Sequence, residues 1–158
     1  MQARAFRILG MALLMGLASG CAKAPGTAPE PVASRANLYP NETPELRAMI
    51  EGAARHHGVP VELVQRVVVR ESTHQPGARN GPYYGLMQIL PATARGMGYQ
   101  GSPDGLLDAR TNLEYGVKYL RGAWLVASGD QEEAVGWYAR GYYYEAKRLG
   151  LLDEAGLR

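Results

Sequence analysis

Apolar residues recur at helical spacing through most of this chain. Val64, Val67, Val68 and Glu71 stand at i, i+3, i+4 and i+7, the spacing of residues that share one face of a helix. Pro60 is placed to open that helix. The run Val67-Val68-Val69 would also suit a strand, but the spacing and length of the segment favour helix. Upstream, Thr43-Pro44 reads as a capping hydroxyl followed by proline at the first helical position. That helix should run to about His57 and stop at Gly58. Pro91 opens another, through Thr93 to about Met97. Leu113, Gly116, Val117, Leu120, Trp124 and Ala127 form a stripe that predicts a long helix from about Asp108 to Ala127. Asp130 and Glu133 are spaced as a capping box for one last helix carrying Trp137, Tyr138, Gly141, Tyr142 and Glu145. No segment alternates as a strand does. The loop Thr73 to Tyr84, with Pro76, Gly77, Asn80, Gly81 and Pro82, has room for one small hairpin. The expected fold class is mainly α with minimal β, about five to six helices, and there is no internal repeat.

The pattern changes at the N-terminus. Arg4 and Arg7 precede an apolar run from Ile8 to Ala18, too short to span a bilayer, which needs roughly 20 residues, and shaped like a secretory signal. Ala18-Ser19-Gly20-Cys21 then resembles a lipobox, in which the cysteine is acylated and becomes the new terminus; Leu is more usual where Ala18 stands. Cys21 is the only cysteine in the chain, so no internal disulfide is available. The alternative is an ordinary secretory signal followed by an incidental thiol, an odd residue to keep in an oxidising compartment. Residues 22–42, with Pro25, Pro29, Pro31 and Pro40 among Ala, Gly, Thr and Ser, have no period and read as a flexible linker. The expected organisation is therefore a signal peptide over residues 1–20, lipidation at Cys21, a linker over 22–42 and a catalytic domain over 43–158. By the sorting rule of enteric bacteria, Ala22 after the cysteine implies the outer membrane. The expected location is periplasmic and lipid-anchored.

Charge excludes one class of partner. The 158-residue chain has 17 basic and 15 acidic residues, and Arg4 and Arg7 account for the whole excess. The remainder is neutral, whereas nucleic-acid binding needs clustered positive charge. A hydrophobic content of 46% allows a real core, and near-neutrality suits an uncharged polysaccharide.

The chemistry converges on Glu71. A carboxyl at the end of a buried stripe loses solvation of its charged form, so its pKa rises. A glutamate that holds its proton near neutral pH can act as a general acid. The plainer alternative is a helix-ending glutamate that leans into water. Downstream stands Gly85-Leu86-Met87-Gln88-Ile89-Leu90-Pro91-Ala92-Thr93-Ala94. Together with Glu71-Ser72, separated from it by twelve residues, this block resembles the catalytic core of the lytic transglycosylases, the peptidoglycan-cleaving branch of the lysozyme-like enzymes. The resemblance covers roughly Glu45 to Lys147. It implies a lysozyme-like fold around a sugar-binding cleft, with a short β element in the loop after the acid. It implies Glu71 as the catalytic acid and Gln88 as a ligand for a sugar acetamido or hydroxyl group. Asn80 stands where the family commonly has a serine that orients the acid or bonds a sugar. Met87 joins the expected substrate contacts, although packing is the commoner use of such a residue. The third family block, Ala-Tyr-Asn-x-Gly, is here Trp137-Tyr138-Ala139-Arg140-Gly141. Tyr138 and Gly141 fit, the asparagine is missing, and Tyr138 would hydrogen-bond toward Glu71 or the scissile region.

Counting carboxylates points to a mechanism. Most glycosidases need two. Glu62 lies about 13 Å from Glu71 along the same helix by rise per residue, and Asp104, Asp108 and Glu114 carry no motif. The transglycosylase route implied by the resemblance needs one acid, and gives 1,6-anhydromuramic ends instead of hydrolysing the bond. A lysozyme-type hydrolase and a non-catalytic peptidoglycan-binding lipoprotein are the alternatives. Other signals are weaker. Gly96-x-Gly98-x-x-Gly101 follows a helix and lacks a βαβ setting, so it is no dinucleotide fingerprint. His56 and His57 are adjacent, point about 100° apart on a helix, and make poor co-ligands. His74 stands between substrate contact and a solvated loop. Arg140 and Tyr142-Tyr143-Tyr144 could line a sugar site or simply pack. No cofactor and no metal are expected. The expected partners are glycan strands, a membrane through the lipid, and cell-wall or secretion machinery.

Overall fold

The computed structural model describes residues 37–157. The expected signal peptide, Cys21 and most of the expected linker lie outside the described residues. The first helix, α1 (Pro44–His57), begins as the sequence predicts: Thr43 Oγ1 accepts a hydrogen bond from Leu46 N at 3.1 Å. It ends at Gly58, whose φ of 65° is the left-handed conformation that glycine adopts without steric cost. Helix α2 (Val61–Ser72) follows Pro60 directly. Its Leu63, Val64, Val67 and Val68 have no exposed surface. At about 1.5–3 kcal/mol per fully buried side chain, this burial overrides the weak helix propensity of the valine run.

After α2 come two short antiparallel strands, β1 (Arg79–Asn80) and β2 (Tyr83–Tyr84), with Arg79 opposite Tyr84 and Asn80 opposite Tyr83. This is the small hairpin that the glycines and prolines of the loop predict. Tyr84 and Ile89 then pair through reciprocal backbone hydrogen bonds of 3.1 Å. That pairing pinches Gly85–Gln88 into a closed loop. Helix α3 (Pro91–Gly96) and a 3₁₀ turn (Pro103–Leu107) lead to the longest helix, α4 (Ala109–Val126). Asp108 caps α4 by accepting from Thr111 N at 2.8 Å. Helices α1, α3 and α5 and the later α6 all pack on α4. Leu113, Gly116, Val117 and Leu120 face them fully or almost fully buried. Trp124 is only half-buried, and Ala123 takes the deeper place.

Two expectations are corrected. The last helix is two helices, α5 (Gln131–Arg140) and α6 (Tyr143–Leu149). Gly141, at φ 85° and ψ 146°, turns the chain out of α5. Tyr142 then swings inward, and its hydroxyl donates to Tyr119 O at 2.8 Å. Gly122 makes that possible, because a Cβ there would meet the Tyr142 hydroxyl at 2.2 Å. Nor is the expected linker free to residue 42, because Glu42 is buried. Its carboxylate accepts from Tyr39 N, Arg47 and Gln65. Asn41 Nδ2 donates to Thr73 O at 3.0 Å, and the Tyr39 ring stacks on His74. Residues 37–42 thus belong to the domain and brace the turn just after α2. The described residues form the expected mainly-α architecture with a single two-stranded hairpin.

Candidate active site

Glu71 occupies the last turn of α2, continuing the buried face of Val64, Val67 and Val68. Its side chain keeps 22% of its surface exposed, enough for a ligand to reach. Burial raises its pKa above the ordinary glutamate value of 4.5, while the charge of Arg70 pulls the other way. Arg70 Nε stands 3.6 Å from Glu71 Oε1. Desolvation wins, so the carboxyl holds its proton to higher pH than a free glutamate.

Behind the acid lies Tyr138 on α5, 8% exposed. Its pKa is pushed well above the usual tyrosine value, by burial first and then by the charges of Glu71, Tyr119 and Tyr142. Tyr138 is therefore a neutral hydroxyl within the electrostatic reach of Glu71. Its partner differs from the expected one: the hydroxyl donates to Met87 O at 2.8 Å. Tyr138 thereby ties α5 to the Gly85–Gln88 loop.

That loop is held from three sides. Met87 N donates to Asn112 Oδ1 at 2.9 Å, and Asn112 Nδ2 donates to Tyr84 O and Leu106 O, both at 2.8 Å. Gly85 at φ 72° leaves no room for a side chain, since a Cβ would lie 2.3 Å from Asn112 Nδ2. Gln88 takes φ 46°, a conformation rare for a residue with a side chain. Its amide nitrogen donates to Gly85 O at 2.8 Å and to Ala78 O at 3.1 Å. The Gln88 Oε1 has no hydrogen-bond partner among the described residues, so the side chain offers an acceptor.

The remaining candidates separate. Met87, expected among the substrate contacts, has no exposed surface; it fills the space over Gly116, where a Cβ would meet its Sδ at 2.6 Å. Packing is its role in this structure. Asn80 is exposed on β1. His74 is neither a solvated loop residue nor free to meet substrate: it is fully buried, with Nε2 at 2.7 Å from Gln65 Oε1. Of the other acids, Asp108 caps α4, Glu114 faces His57 at 3.3 Å, and Asp104 lies 3.8 Å from Arg79. Arg140 stacks over the Trp137 ring at 3.7 Å. A pocket of about 410 Å³ is lined by Tyr39, by Arg66, Val69 and Arg70 of α2, and by Glu132 and Val135 of α5. It does not include Glu71, Gln88 or Tyr138.

Sequence reasoning missed Asn112. The available signal was a polar residue one turn before Gly116 on an otherwise apolar stripe. It also set aside His56 and His57 as diverging. Their ring centroids lie 4.7 Å apart, edge to face.

A family model described as the transglycosylase SLT domain matches residues 48–150, which takes in α2, the hairpin, the Gly85–Gln88 loop and Tyr138.

Proposed function

The chain belongs to the transglycosylase SLT family, and from that premise we propose that it is a peptidoglycan lytic transglycosylase. It cleaves the β-1,4 bond between N-acetylmuramic acid and N-acetylglucosamine and leaves 1,6-anhydromuramic ends. The observation that carries this reading is one half-sheltered carboxyl, Glu71, whose pKa burial raises. Protonated Glu71 gives its proton to the glycosidic oxygen as the bond to C1 breaks. The acetamido oxygen of the muramic residue attacks C1 and forms an oxazolinium ion. The Glu71 carboxylate then takes the proton from the 6-hydroxyl of the same sugar. O6 displaces the acetamido oxygen at C1 and closes the anhydro ring. The acid ends protonated, as it began, and no water is consumed.

The other residues serve this step by position. Gln88 Oε1 accepts from a sugar N–H or hydroxyl, and Asn80 bonds sugar from the hairpin. Tyr138 holds the carbonyl beside Gln88, so it is a positioning residue. A general acid–base group contributes about 10²–10⁴-fold; orientation of the sugar supplies more. The reading extends to placement: Cys21 carries the lipid that holds the enzyme in the periplasm at the outer membrane. Mass spectrometry of the N-terminal peptide from a membrane fraction should find acylated Cys21, and an unmodified thiol would remove the anchor from the proposal.

Digestion of purified sacculi tests the chemistry. Mass spectrometry should find anhydro ends, and Glu71→Gln should lose cleavage by at least about 100-fold with an unchanged circular dichroism spectrum. Reducing ends would make the protein a lysozyme-type hydrolase. No clearing of embedded sacculi by the wild type would make it a binding protein. Because the acid form is required first, the rate should fall as pH rises through the Glu71 pKa, with that limb above 4.5 in a pH profile of kcat.

A further inference from the structure

On the seam between α1 and α4, the structure gathers His56, His57 and Glu114, with one ligand atom from each lying within 4.8 Å of the others. His57 is the floor of this cluster. Its side chain is 9% exposed, and its Nε2 is buried without a hydrogen-bond partner among the described residues. The Glu114 carboxylate stands 3.3 Å away, an ion pair only when His57 is protonated. A cation seated between that nitrogen and the carboxylate would take a lone pair from each and satisfy both. His56 is exposed and Glu114 is partly so, so both can adjust over the opening.

We propose that His56, His57 and Glu114 form a binding site for a divalent transition metal of the zinc class. Two imidazoles and a carboxylate are the donors such ions take, with water completing a tetrahedral site. The set has no sulfur for a softer ion and too few oxygens for calcium or magnesium. At about 2.0–2.2 Å from each donor, a zinc ion draws its ligands to roughly 3.4 Å of one another. The His57–Glu114 pair already has that separation, and the exposed His56 ring needs only to turn. The C-terminus of the 14-residue α1 points partial negative charge at the site, which favours a cation. Lys118 opposes it, but its ammonium is held by Met97 O at 2.7 Å. The ion is a clip fastening the end of α1 to α4, and it touches none of Glu71, Gln88 and Tyr138.

The test is calorimetric titration of Zn²⁺ into the full chain carrying Cys21→Ser, which removes its only thiol. The expected result is saturable binding of one ion per chain, with a rise in Tm of several degrees. His56→Ala and Glu114→Gln sit at exposed or half-exposed positions, so both should keep the fold, verified by circular dichroism. Each should weaken binding by at least about tenfold and lose the Tm rise. Wild-type affinity in both variants, or no saturable binding at millimolar zinc, overturns the proposal.

Discussion

At the scale of single residues, one buried carboxyl and one half-buried carboxyl have opposite effects on stability. Burial would raise the Glu42 pKa, but hydrogen bonds from Arg47, Tyr39 N–H and Gln65 and the Arg47 charge outweigh it and hold it at about 2. A depressed folded pKa contributes stability that is complete above 4.5 and is lost as pH falls toward 2. The shift corresponds to on the order of 3 kcal/mol. Urea denaturation at stepped pH should show that slope in the wild type and not in Glu42→Gln. His74 acts in the same direction at higher pH: its pKa is lowered by burial, against Glu42 and with Arg47, so stability declines as pH drops below 6.5. Glu71 has the opposite sign. Its raised pKa means the folded protein binds protons more tightly, so ionising it at neutral pH costs stability. Glu71→Gln should therefore be inactive and more resistant to denaturant than the wild type at pH 7, with the gain shrinking toward pH 4. The acid was legible in the sequence because it interrupts an apolar period. Glu42 was not, because a charge buried by partners 5 and 23 residues away leaves no periodic trace.

At the scale of elements, what was legible was whatever the chain caps or breaks locally. Thr43-Pro44, Gly58, Pro60, Pro91 and Asp130 mark boundaries within a residue or so of where the helices lie. Gly141 was read as part of a family motif and not as a stop. Its conformation, and the burial of Tyr142 against Gly122, depend on packing that no local pattern carries. The same limit hid the function of Asn112. One side chain makes three hydrogen bonds that join α4 to β2, to the 3₁₀ turn and to the site loop. Asn112→Ala takes this partner from Met87 N and Leu106 O and leaves Tyr84 O with Ile89 N alone, and should cost about 2–3 kcal/mol at roughly 1 kcal/mol per lost bond. Its kcat should fall with it, since the loop bearing Gln88 loses its brace. Thermal denaturation and a kcat measurement on the same preparation check both.

At the scale of the whole described domain, α1, α3, α5 and α6 lean on α4 as a post, and α2 packs on α1 and α5, which sets the acid beside Tyr138 and the site loop. The six residues 37–42 complete this assembly, which makes the domain longer at its start than the proline-rich composition suggests. A chain beginning at Asn37 should melt with the full-length protein. One beginning at Thr43 loses the Glu42 ion pair and the Tyr39–His74 stack, and its Tm should drop by several degrees in a scanning calorimeter. The candidate site was the least legible part, because it is assembled from the end of α2, a pinched loop and α5, separated by up to 67 positions between Glu71 and Tyr138.

With both amide hydrogens of Gln88 committed to Gly85 and Ala78, the proposed sugar contact at that position discriminates by the direction of a hydrogen. A saccharide that brings an N–H or O–H there gains a partner, and one that brings only an ether or ring oxygen meets a second lone pair. Glutamate, nearly the same shape, would turn two attractions to backbone carbonyls into repulsions, so the smallest change to this side chain is among the least tolerable.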